Sequence, residues 1–137
     1  MFFNKSKEEN NSVNFVKIAA LLIHAAKIDE SYSNQEEKII EQALLKFGAN
    51  NQNVKDIIKE AKIIEENTNQ ILEFTKEVKN MNSNDKIEIV RTLWQIIYSN
   101  KEADMYETNL MRRLAGLLYI DNKIMGDIKE RIKKKLK

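Results

Sequence analysis

Little in the covalent chemistry of this chain can interrupt a helix. Among 137 residues there is no proline, and there are only three glycines, Gly48, Gly116 and Gly126. Proline breaks a helix by removing a donor and clashing with the preceding turn. Glycine is the default residue for a tight reversal. An all-β sandwich or barrel needs such punctuation every few residues, so this chain reads as all-α. Its length suits one domain with a real core and is short for two. The absence of cysteine removes a disulfide framework, a thiolate metal site and a cysteine nucleophile from consideration.

Seven stretches carry the 3.6-residue apolar period of helices. The first, from Val13 to Ile28 with Ser12 as N-cap, is apolar almost all round (Phe15, Val16, Ile18, Ala19, Leu22, Ile23, Ala26), the pattern of a helix in the middle of a bundle. The second runs from Asn34 to Phe47, and Gly48 follows where a left-handed C-terminal residue is wanted. The third, Gln52 to Glu65, presents Val54, Ile57, Ile58 and Ala61. The fourth, Asn69 to Asn80, presents Ile71, Phe74 and Val78. The fifth, Asn84 to Ser99, repeats the character of the first with Ile87, Val90, Leu93, Trp94 and Ile97. The sixth, Met105 to Leu118, and the seventh, Asn122 to Leu136, use Leu110, Met111, Leu114 and Leu118, then Ile124, Ile128, Ile132 and Leu136. The connections are short and rich in asparagine, and none is long enough to be a domain linker.

Shifting the chain by 71 residues superposes its apolar positions. Val16 meets Ile87, Leu22 meets Leu93, Ile23 meets Trp94, Ile40 meets Met111, Leu44 meets Ala115 and Phe47 meets Leu118. The expectation is a single-domain bundle of about seven helices, made of two three-helix repeats packed with pseudo-two-fold symmetry and bridged by the fourth helix. Residues 1–12 are an N-terminal arm, and 13–137 form the helical domain.

The polar residues of the first interhelix loop repeat as well. Side-chain oxygens occupy positions 1, 3, 5 and 8 of both copies, at Asp29, Ser31, Ser33 and Glu36, then at Asn100, Glu102, Asp104 and Glu107. Two chemistries use this pattern. Ser33-x-x-Glu36 and Asp104-x-x-Glu107 are capping boxes that start the following helices. Oxygen ligands at alternating loop positions, completed by a helical carboxylate, also suit a hard divalent cation such as Ca²⁺ or Mg²⁺. On that reading the metal ligands are Asp29, Glu36, Glu102, Asp104 and Glu107. The loop is not an EF-hand, because Asn34 and Met105 stand where that loop needs glycine, and Ile40 and Met111 where it needs glutamate.

No nucleophile–base pair, phosphate-binding glycine loop or pair of catalytic carboxylates can be assembled, so a non-enzymatic role is expected. The one histidine, His24, lies five residues before Asp29, about 140° round a helix, so the two do not share a face; it reads as a core or boundary residue. Trp94 and Tyr98 at i, i+4 read as core packing, and Met111 and Met125 as gap-fillers. Glu65-Glu66 reads as a solvated face, and Gly116 and Gly126 as points of close helix packing.

Charge is uneven: residues 1–82 hold 11 Lys against 13 acids, and residues 83–137 hold 12 Lys or Arg against 8. Six cations and one acid fill Lys129 to Lys137. Cations there complement the helix dipole and stay solvated, and they offer a peripheral contact to an anionic membrane surface. No aromatic interleaving accompanies them, so nucleic-acid binding is not expected. The longest apolar stretch, Phe15 to Ile28, is too short to span a bilayer, and the polar start after Phe3 is unlike a signal peptide. The expected location is cytoplasmic.

Ala19-Ala20-Leu21-Leu22-Ile23-His24-Ala25-Ala26-Lys27-Ile28-Asp29 followed by Glu36 resembles the first signature of the TerB-like family, the tellurite-resistance TerB proteins and their relatives. In that signature an Ala-Asp-Gly turn closes one helix and a glutamate opens the next. Leu93 to Asn100, then Glu107 and Arg112-Arg113-Leu114-Ala115-Gly116-Leu117-Leu118, resembles the second. The likeness covers about residues 13 to 135. It implies an all-helical fold in two related halves, a role in tellurite resistance or stress response, and metal association through the acidic turns. Relatives fused to chaperone or membrane modules imply a binding or scaffold domain. The competing reading is a pure protein-interaction scaffold that binds a partner helix or a second copy through an apolar groove. Ile28-Asp29-Glu30 and Ser99-Asn100-Lys101 replace the family turn; Asn100 lacks the carboxylate and Lys101 adds a cation.

Overall fold

The structure, a computed structural model, describes residues 15–27, 33–68, 71–99 and 105–135, the side chains of 105–107 excepted. Among the described residues the chain forms seven helices and no strand, an all-α bundle. They are α1 (15–26), α2 (Asn34–Lys46), α3 (Val54–Asn67), α4 (Leu72–Lys79), α5 (Ser83–Tyr98), α6 (Met105–Leu117) and α7 (Asn122–Lys135). α5 is the shared partner of α2, α4 and α7; α2 packs on α3, and α6 on both α4 and α7.

The all-round apolar pattern of α1 has the consequence expected of it. Ile18 through Ile23, with Ala25 and Ala26, are each no more than 2% exposed. Each large aliphatic side chain buried this way contributes about 1.5–3 kcal/mol relative to exposure, and the alanines let neighbouring helices approach. α5 is the other core helix, burying Ile89, Val90, Leu93, Trp94, Ile96 and Ile97. Phe74 and Val78 of α4, and Ile128 and Ile132 of α7, close the core from its edges. On α7 the stripe is rotated slightly from expectation: Met125 is buried, whereas Ile124 is 41% exposed.

Some of the asparagines fold helix ends and the turns before them. Asn82 caps α5, its Oδ1 accepting from the Asp85 backbone N–H at 2.9 Å. Asn50 Oδ1 accepts from the backbone N–H groups of Gln52 and Asn53 at 3.0 and 2.9 Å, which folds the turn before α3. The Asn82 bond satisfies a donor that the first turn of α5 leaves orphaned.

α2 and α6 end in the same backbone device, 71 residues apart. At α2 the Ala49 N–H bonds Leu44 O at 3.0 Å and the Gly48 N–H bonds Leu45 O at 3.2 Å. At α6 the Ile120 N–H bonds Ala115 O at 2.9 Å and the Tyr119 N–H bonds Gly116 O at 3.4 Å. Both are Schellman motifs, which require a left-handed residue after the C-cap. Gly48 supplies it at φ 115° and Tyr119 at φ 57°. Glycine adopts such angles freely, whereas tyrosine is strained there.

Two sequence expectations are overturned here. Gly116 and Gly126 do not mark close packing: a Cβ at either would meet nothing within 4 Å. Glu65 is not part of a solvated face, because it sits on the buried stripe of α3.

Candidate functional site

α2 starts on Ser33. Its extended backbone (φ −102°, ψ 164°) places Oγ to accept from the Glu36 backbone N–H at 3.2 Å. The Glu36 carboxylate returns to the cap, its Oε1 accepting from the Ser33 backbone N–H at 2.9 Å and from the Ser33 hydroxyl at 3.0 Å. This is the reciprocal capping box expected from the sequence. The Glu36 side chain is buried. A buried carboxylate is tolerated only when hydrogen-bonded or paired, and the box supplies such bonds. Beside it, Glu37 reaches across to Lys62 of α3 at 2.6 Å.

Of the five carboxylates expected as metal ligands, Glu36 is the one whose side chain is described. Asp29, Glu102 and Asp104, and the side chain of Glu107, lie outside the described residues. Among the described residues no three His, Asp or Glu side chains converge as metal ligands.

Sequence reasoning missed a second polar cluster. Glu65 of α3 is 8% exposed and sits between His24 of α1 and Lys27, the residue just after α1. Lys27 Nζ donates to its Oε1 at 2.6 Å, and His24 Nδ1 lies 3.2 Å from its Oε2. His24 and Lys27, one turn apart, thus share the face that meets α3. The signal was present in the spacing, since Val54, Ile57, Ile58, Ala61 and Glu65 form one helical stripe. His24 is a boundary residue, as expected. Lys17 ties α1 to Glu77 of α4 at 3.3 Å in a further, more exposed pair.

Trp94 and Tyr98 stack one turn apart with centroids 5.8 Å apart and planes 26° from parallel. The Trp94 ring also faces Lys129 Nζ of α7, 5.4 Å from its centroid. Its indole Nε1–H is buried with no hydrogen-bond acceptor among the described residues, a defect that costs about 1–3 kcal/mol. No helix among the described residues is long and apolar enough to cross a membrane, and the C-terminal Lys133, Lys134 and Lys135 are solvated.

These features define an all-helical domain whose polar chemistry is concentrated at capped helix ends and in one buried carboxylate cluster. A family model described as "Tellurite resistance protein TerB" matches residues 15–130, and the chain belongs to that family. No curated protein and no solved structure matches it.

Proposed function

We propose that this chain is a non-enzymatic binding module acting in tellurite resistance or stress response, and that its first acidic turn takes a divalent cation, Ca²⁺ or Mg²⁺. The family match supports the cellular role. The buried Glu36 carboxylate, held at the mouth of that turn by Ser33, carries the cation reading. Asp29, at the first position of the same loop pattern, is its expected companion. Glu102, Asp104 and Glu107 form the corresponding set in the second half, weakened by Asn100 and Lys101. The 71-residue offset between α2 and α6 supports reading the two turns as copies of one device. Calorimetric titration of the whole chain with each cation tests the proposal. Saturable heat with a raised melting temperature is expected; no heat and no melting shift removes the metal.

A second reading, a protein-interaction scaffold, draws support from a groove of about 530 Å³ between the start of α1, the end of α2 and the α4–α5 turn. Phe15, Ile18, Phe47 and Met81 line it, with Glu77 and Asp85 among its polar residues. On that reading a charge placed at Met81 abolishes association and leaves any cation response intact.

A further inference from the structure

We propose that the cleft where α5, α6 and α7 meet binds a small organic anion, a carboxylate or phosphate ester carrying an apolar body. The cleft has a volume of about 220 Å³, below the range of drug-sized pockets and suited to a ligand of few atoms. Trp94, Met111 and Met125 supply apolar walls, and all three are buried. Arg112 and Lys129 also line it, and no carboxylate among the described residues does. Among the described residues neither cation is held in an ion pair. Two cations with no carboxylate partner, beside a low-dielectric wall, favour an anion there.

A further observation points to the same place. Gly126, inside α7, lines the cleft, and neither packing nor backbone angle asks for glycine at that position. Glycine weakens a helix interior, and any longer side chain there would extend into open space. Its smallness preserves the cleft volume.

Trp94 is the only tryptophan, so its emission reports on the cleft. The whole chain is titrated with phenyl phosphate, benzoate and the neutral benzyl alcohol, followed by calorimetry and by Trp94 emission. Saturable binding is expected for at least one anion and not for the alcohol, and the two anion arms separate phosphate ester from carboxylate. Arg112→Gln with Lys129→Gln, the first exposed and the second half-buried, is expected to weaken that binding about tenfold or more. Gly126→Leu abolishes it with the melting temperature retained. Equal binding of the alcohol, undiminished binding in the double variant, or no saturable response to either anion overturns the proposal.

Discussion

Two of the three glycines respond to alanine with opposite signs, and the structure sets the magnitudes. Gly126 sits inside α7, and a methyl group added there would meet nothing within 4 Å. Gly126→Ala therefore gains helix propensity with no clash, about 0.8–1.0 kcal/mol. For a domain of this size about 1 kcal/mol moves Tm by about 3–4 °C, so a rise of that order is expected. Gly48 has φ 115°, beyond the left-handed well that any L-residue enters at a cost. Gly48→Ala costs about 1–2 kcal/mol of backbone strain, offset in part by about 0.4–1 kcal/mol from a less flexible unfolded chain. Its Tm should fall by a few degrees. Differential scanning calorimetry of the two single variants against the parent decides the matter. A fall for Gly126→Ala, or a rise for Gly48→Ala, refutes the account of how α2 ends and how α7 is surrounded.

Other substitutions probe the remaining supports. Ser33→Ala removes the N-cap of α2 and should cost about 1 kcal/mol in urea unfolding, whereas Glu36→Gln, which can still close a capping box, should cost less. Glu65→Ala removes the hydrogen bonds to Lys27 and His24; those side chains are 40% and 34% exposed and can rehydrate, so a loss of about 1–2 kcal/mol is expected in the same assay. Phe74→Ala, at a fully buried position, should cost about 3–5 kcal/mol with an unchanged denaturant slope.

The helices were legible because amphipathic periodicity is strong where no proline or glycine breaks it. α2 and α6 begin at the predicted Asn34 and Met105, the first because Ser33 and Glu36 write a capping box into the sequence. Ile124 was misplaced because two adjacent apolar residues, Ile124 and Met125, can each complete the stripe of α7, and packing against α5 selects Met125. Glu65 escaped because charge was weighed above position, although its place on the α3 stripe already put it inside. Tyr119 escaped because tyrosine gives no local sign of a left-handed angle; only the 71-residue register to Gly48 hints at it. Of the candidate cation site, the cap at Ser33 and Glu36 was read correctly, while the other ligands fall outside the described residues.

The proposed cation turn is tested most directly by comparing the parent with the double variant Asp29→Asn, Glu36→Gln, melted with and without Ca²⁺ or Mg²⁺. A ligand at a hundred times its Kd stabilises the folded state by about 2.7 kcal/mol, a shift of about 9 °C at this chain length. The account predicts such a cation-dependent shift in the parent and its disappearance in the variant. Equal loss of stability with and without cation would contradict it and leave the acidic turn with capping alone.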